Sequence, residues 1–202
     1  LGNAAFIEDS TATLGFRNLY MNQDTRNKDE KTKEEWLQAV ILDYKSGFTE
    51  GTVGVGIDVY GAVGFTLDSG PNRTPDAAPQ RSNGKSADQF GKLGATFKAK
   101  LSETVFEAGS FRPSLPVLQA NLEGRLLPQM FTGSMVTSKD INGLTAILGR
   151  MERVNQRAST NHERMGMNTQ AKNLVSKKTG KPITGNDTSS YFDLANLDYQ
   201  WT

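Results

Sequence analysis

The stretch Gly51 to Leu67, GTVGVGIDVYGAVGFTL, restricts the possible folds more than any other part of the chain. Its odd positions are Val53, Val55, Ile57, Val59, Gly61, Val63, Phe65 and Leu67; its even positions are Thr52, Gly54, Gly56, Asp58, Tyr60, Ala62, Gly64 and Thr66. Side chains of a strand alternate between its two faces, so this is a single strand with one apolar face and one small or polar face. Strands of soluble domains run about 5–6 residues, and a tilted strand crosses a membrane in about 9–11. An alternation of this length, with large aliphatics on one face, points to lipid on one side and water on the other.

Composition narrows the alternatives. A chain of 202 residues can bury an ordinary core, yet only 36% of it is hydrophobic and 20 residues are glycine. No apolar run approaches the roughly 20 residues of a membrane helix, which excludes a helical membrane protein but not a barrel. A net charge of +1 makes neither nucleic acid nor an anionic membrane surface a partner. Without cysteine there is no disulfide framework and no thiolate metal site. Leu1 to Phe6 is too short for a signal peptide and lacks a basic start, so the chain is expected to be mature or cytosolic.

Read in order, Ser10 to Gln23 alternates, with Ala12, Leu14, Phe16 and Tyr20 on one face and Gly15, Arg17, Leu19, Met21 and Gln23 on the other. A charged loop, Asp24 to Glu35, leads to a strand over Trp36–Tyr44 that is too uniformly apolar for its faces to be assigned. After the turn Lys45 to Gly51 and the long strand comes a polar loop, Asp68 to Gln89, with prolines at 71, 75 and 79. Lys92 to Leu101 alternates cleanly, Ser102-Glu103 is a tight turn, and Thr104 to Phe111 is the next strand. Arg112 to Gln129 is a proline-punctuated loop, followed by strands over Phe131–Ser138 and Leu144–Arg153 joined by a turn that contains Asn142-Gly143. A polar loop, Val154 to Thr188, precedes the last strand, Tyr191 to Trp201.

The connections alternate long and short. This is the pattern of an all-β, antiparallel up-and-down barrel with long loops at one mouth and short turns at the other. Aromatics near strand ends (Tyr20, Trp36, Tyr44, Phe65, Tyr199, Trp201) fit interfacial girdles. They equally fit the general preference of aromatics for strands.

The loop between Phe111 and Phe131 differs in kind from the other long loops. Pro113, Pro116 and Pro128 prevent a central strand or a regular helix. Leu115, Val117, Leu118, Leu122, Leu126 and Leu127 make it apolar, so it is expected to pack on something. In a barrel, residues 112–129 would fold inward and narrow the lumen, with Gly54, Gly56 and Gly64 of the long strand leaving room for them; in a soluble fold they would cap the core.

The chain resembles the OprD-type outer-membrane carboxylate channels of Gram-negative bacteria. The resemblance rests on Phe6-Ile-Glu-Asp-Ser10, Arg17-Asn with Asn22-Gln-Asp24, and the run from Tyr44 to Asp58. It continues through Arg112-Pro-Ser-Leu-Pro-Val117, Arg125-Leu-Leu-Pro-Gln129 and Asp140-Ile-Asn-Gly-Leu-Thr145 to Gly149-Arg150. It implies an 18-stranded, monomeric barrel in outer-membrane lipid whose third long loop folds inward as the constriction. It also implies passive uptake of small carboxylate-bearing nutrients along a lumen lined by arginines and lysines. The chain departs from the family in two respects. It offers about eight strands, so residues 1–202 are read as one domain, the amino-terminal part of a larger barrel, because strand edges left open in lipid leave backbone groups unsatisfied. And Gln23 stands where some relatives have arginine, which argues against basic amino acids as substrates.

Guanidinium and ammonium groups can replace the hydration of a carboxylate entering a narrow pore, and several in series let it step through without being trapped. The candidate substrate-facing residues are Arg17, Gln23, Lys92, Lys98, Arg125 and Arg150, and the candidate constriction residues are Arg112, Pro113, Leu115, Pro116, Leu126 and Pro128. For the lysines, solvated surface charge is an equal alternative, and the parity of Arg150 relative to Leu144, Ala146 and Leu148 is ambiguous. A lone histidine, His162, in a polar loop supports neither a catalytic dyad nor a metal site. No acid–base pair has a reason to be close, so no catalytic residue, metal or cofactor is expected. The matches to a glycosylation pattern at Asn72 and Asn186 arise often by chance, and Lys177, Lys178 and Lys181 read as solvated loop charge. The rival fold is a soluble β-sandwich binding module, in which all apolar faces would converge on one core.

Overall fold

The computed structural model describes residues 4–24, 26, 32–69, 77–120, 124–166, 180–181 and 188–201. A five-residue helix, α1 (Ala4–Glu8), precedes a sheet of long antiparallel strands: β1 (Thr11–Gln23), β2 (Lys33–Lys45), β3 (Gly54–Asp68), β4 (Gln89–Leu101) and β5 (Thr104–Phe111). Two short strands, β6 (Ser114–Leu115) and β7 (Leu118–Gln119), pair only with each other. The sheet resumes with β8 (Met130–Ser138) and β9 (Leu144–Asn155), and ends with β10 (His162–Gly166), β11 (Thr188–Ser189) and β12 (Phe192–Tyr199). Strands pair in chain order from β1 to β5, then β5 with β8 and β8 with β9. The far edge of β9 is shared, with β12 pairing residues 144–151 and β10 pairing residues 153–155. Among the described residues β1 pairs only with β2 and β12 only with β9, so the sheet does not close on itself and forms part of a barrel wall.

The eight long strands are those expected from the sequence, with ends that differ by a few residues. Three features fall inside predicted loops. The hairpin β6–β7 lies within the proline-rich segment, and β10 and β11 lie within the segment read as a polar loop. Such short pieces carry too few alternations to show a period. Asn72 and Asn186, Leu122, and Lys177 and Lys178 lie outside the described residues.

The two faces of the sheet are inverted relative to a soluble fold. On one face Leu14, Phe16, Leu42, Val63, Leu93, Phe97, Phe106, Leu148 and Leu197 are all exposed, Leu93 by 73% and Leu197 by 72%. Tyr20 and Trp36 face outward at the long-loop end, where the indole N–H donates to Asn18 Oδ1 at 3.0 Å. Tyr199 and Trp201 pack edge to face at the short-turn end, ring centroids 5.1 Å apart.

The opposite face is covered from within the same chain. Leu37 and Ala39 of β2, Tyr60 and Ala62 of β3 and Phe90 of β4 are buried under Ala77, Ala78, Leu126, Leu127 and Met130. This explains why β2 showed no period: Val40 and Leu42 face outward while Leu37 and Ala39 lie beneath inward segments, so both faces are apolar. A second cluster joins Phe131, Met151 and Val154 to Leu118 and Ala120.

At the short-turn end the hairpin β4–β5 closes through Ser102, which holds a left-handed φ of 54°, and the β8–β9 turn closes through Gly143 at 77°. Asp140 ties these turns together. Its carboxylate accepts the Glu103 N–H at 3.0 Å and the Thr104 hydroxyl at 2.5 Å. The Thr104 hydroxyl first, then the Ser102 hydroxyl and the Glu103 N–H, hold this carboxyl well below the ordinary aspartate range. A depressed folded pKa stabilises at pH above the unfolded value, about 4, and that contribution fades as pH falls through the folded value. Asp140→Ala is therefore expected to lower the thermal unfolding temperature at pH about 5–8, with the gap to wild type closing in strong acid. A gap independent of pH across an unfolding series would show that ionisation of Asp140 contributes nothing.

Candidate functional site

The covered face carries the ionised side chains. Register sets Lys45 opposite Asp58, Asp58 opposite Thr96, and Lys98 opposite Glu107. Lys45, Asp58, Thr96 and Glu107, with Asp43, Tyr60, Ser110 and Arg112, line a recess of about 250 Å³. Arg112, the first residue after β5, reaches across the recess to ion-pair with Asp43 and stacks over the Tyr60 ring, 4.3 Å from its centroid. The Tyr60 hydroxyl is buried and has no hydrogen-bond partner among the described residues. Lys98 pairs with Asp58 at 2.6 Å, donates to the Ser46 carbonyl at 2.7 Å and lies 4.9 Å from the Phe48 ring.

The six residues singled out from the sequence do not share one environment. Arg17 lies on the inner face, in step with Leu19 and Met21, which pack against the core, and makes no hydrogen bond or ion pair among the described residues. Gln23 ends β1 opposite Lys33 and is exposed. Arg125 is half-buried in the inward segment, with Nη1 donating to the Gly124 carbonyl at 2.8 Å. Lys92 and Lys98 are inward but not solvated: each is more than nine-tenths buried. Lys92 Nζ donates to the carbonyls of Pro128 at 2.9 Å and Gln156 at 2.5 Å, so it fastens two loops to β4. Arg150 shares the outward parity of exposed Leu148, away from buried Ile147 and Met151. There it forms a two-bond pair with Asp193, at 2.7 and 2.9 Å, and stacks 4.1 Å from the Tyr191 centroid. Because β12 supplies its partner, Arg150 is not brought together with the others.

The described parts of the proline-rich segment, residues 112–120 and 124–129, lie against the covered face of the sheet. Buried Pro113 accepts the Ala120 N–H at 2.8 Å and so closes the β6–β7 hairpin, with Leu115 opposite Leu118 and Pro116 exposed at its tip. Leu118 and Ala120 pack in the second cluster, while Leu126 and Leu127, with no exposed surface, pack in the first. Only one of the three glycines expected to leave room for this segment does so. A Cβ on Gly64 would meet Phe90 at 2.6 Å and Leu126 at 3.1 Å. Gly54 and Gly56 instead admit the β2–β3 turn, where a Cβ would meet the carbonyls of Thr49 at 2.9 Å and Gly47 at 2.7 Å.

The sequence reading missed a second inward segment, residues 77–88. Ala77 and Ala78 are buried beside Leu126 and Leu127. They are held by Glu35, whose carboxylate accepts the N–H groups of Ala77 and Ala78 and the Ser86 hydroxyl. The available signal was weak: a pair of alanines in a polar loop, and an acid in phase with Leu37 and Ala39. Among the described residues, no three His, Asp or Glu side chains come together in a way that could hold a metal ion.

Residues 4–202 match the model of the outer membrane porin, OprD family. The porin-like protein GalP of Pseudomonas putida is 37% identical over 166 residues, which cover 81% of this chain and 40% of GalP. The crystal structure of Pseudomonas aeruginosa OccK9 (OpdG) superposes with a TM-score of 0.84 at 38% identity, covering 98% of this chain and 48% of OccK9. Pseudomonas aeruginosa OpdK, solved with vanillate, superposes with a TM-score of 0.80 at 32% identity, covering 98% of this chain and 47% of OpdK. The chain thus spans less than half the length of these relatives.

Lys92→Met would leave the Pro128 and Gln156 carbonyls without their donor, and a buried acceptor left unmet costs about 1–3 kcal/mol. The urea midpoint of the folded protein in detergent micelles is expected to fall accordingly. An unchanged midpoint would mean that water replaces the ammonium.

Proposed function

Because the chain belongs to the OprD family of outer-membrane porins, we propose that it forms the amino-terminal part of an 18-stranded barrel that conducts small carboxylate-bearing nutrients by passive diffusion. It is an outer-membrane protein of Gram-negative type and not an enzyme. The observation that carries the channel reading is the inverted polarity of the sheet. Large apolar side chains are exposed on one face, and the cluster of charged groups around the recess lies on the other. A lysine or arginine facing lipid at mid-depth would cost about 2–4 kcal/mol, so charges gather where water fills the lumen. Arg150 faces outward, where Asp193 neutralises it.

In this reading residues 112–129 are the constriction, and the solute passes between that segment and the remaining wall. Arg17 is the cation of the wall best suited to act on it, because Arg112, Lys92 and Lys98 already hold protein groups, and Arg125 is placed beside the solute by its position in the inward segment. Guanidinium groups offer a carboxylate paired, charge-assisted hydrogen bonds in place of water. Asp43, Asp58 and Glu107 on the same wall keep these sites shallow, so that the anion can leave as well as enter. The vanillate in OpdK is a small carboxylate of the kind this wall would admit.

Arg17→Ala and Arg125→Ala are each expected to lower carboxylate flux into liposomes on the order of ten-fold, as for loss of one hydrogen bond to a charged group of about 1.5 kcal/mol. Flux of a neutral sugar of similar size should stay near wild type. Equal losses for both solutes would overturn the selective role of these arginines.

A further inference from the structure

Residues 77–88 are fastened to the sheet at buried Ala77, Ala78 and Ser86, while Gln80 to Asn83 and Lys85 are exposed. The segment is braced by itself: the Ala87 N–H donates to the Pro79 carbonyl at 2.8 Å, and Gln80 and Ser86 form a bridge across it. One end is fastened to the sheet, where the Thr66 N–H donates to the Asp88 carbonyl at 2.9 Å and its hydroxyl donates to the Ala87 carbonyl at 2.7 Å. The other end is held by the Glu35 carboxylate, only 1% exposed, which accepts Ala77 N–H at 2.7 Å, Ala78 N–H at 3.3 Å and the Ser86 hydroxyl at 2.7 Å. A buried carboxylate is tolerated only when its oxygens are met by donors, and here one segment supplies three of them. That segment then joins Leu126 and Leu127 of the 112–129 segment in one apolar cluster.

We propose that Glu35 is a positioning residue that makes residues 77–88 a second inward wall, so that the open cross-section of the channel is set by two interlocked segments and not by residues 112–129 alone. The inference rests on the channel reading. The chemistry is specific to a carboxylate: a neutral amide at position 35 offers one acceptor oxygen for three donors, and alanine offers none. Losing Glu35 should release the Ala77–Ala78 corner from the wall and uncover the flank of Leu126 and Leu127.

The test is single-channel conductance in potassium chloride of the closed barrel that contains this chain, comparing wild type with Glu35→Ala, Glu35→Gln and Ser86→Ala. Each variant is first checked as a folded barrel by its heat-modifiable migration. Glu35→Ala is expected to raise conductance on the order of two-fold and add sublevels, because flux follows the open width of the pore. Glu35→Gln and Ser86→Ala should fall between it and wild type. A folded Glu35→Ala barrel with wild-type conductance and no sublevels would overturn the proposal. If Glu35→Ala does not fold, Ser86→Ala decides: raised conductance supports the proposal and wild-type conductance overturns it. A wild-type barrel that inserts but conducts nothing would defeat the channel reading, and this inference with it.

Discussion

Backbone laid against the inside of a β-wall must find hydrogen-bond partners there, and the wall has already used its own N–H and C=O groups in the strand ladders. The structure depends on how this constraint is met. Among the described residues, buried charged side chains reach out of the sheet to backbone of the loops and turns laid against it. Glu35 takes the N–H groups of residues 77 and 78, Lys92 takes the carbonyls of 128 and 156, and Lys98 takes the carbonyl of 46. Each sign is matched to what the segment offers: a carboxylate for donors, an ammonium for acceptors.

These contacts change how charge on the inner face is understood. A lysine on the polar face of a membrane strand reads as a solute-facing cation, because lipid excludes it from the other side. Lys92 and Lys98 are inward, yet their ammonium groups already hold carbonyls. Arg112 is similarly engaged with Asp43 and the Tyr60 ring. Arg17 makes no hydrogen bond or ion pair among the described residues, so its guanidinium is open to a solute. Charge on the inner wall therefore has two uses, shaping the lumen and meeting the solute, and only the partners tell them apart.

The apolar clusters complete the arrangement. Leu126 and Leu127 sit over Ala62 and Phe90 at one end of the segment, and Leu118 and Ala120 sit near Phe131 and Val154 at the other. The proline-rich segment is thus fixed at both ends to different strands, and Gly64 provides the depth that one of these contacts needs. Small residues on the inner face and large ones on the outer face are two consequences of the same division: lipid accepts bulk, while an inward segment needs room.

By itself the sequence determined the eight long strands and the division of strands such as β1, β3 and β4 into an apolar and a polar face, because period two is written in consecutive residues and needs no distant partner. It also marked the 112–129 segment, since leucines among prolines must be covered by something. The partners of the charges were decided only by tertiary structure. Parity could not orient Arg150, and its counter-ion Asp193 arrives from another strand. Lys92 looks the same on the page whether it meets a solute or the carbonyl of Pro128. Glu35 stands beside Trp36 with nothing in its neighbourhood to announce Ala77, Ala78 or Ser86. Hydrophobic alternation is a local property of the chain, whereas a hydrogen bond between a wall and a loop depends on where two separated segments come to rest.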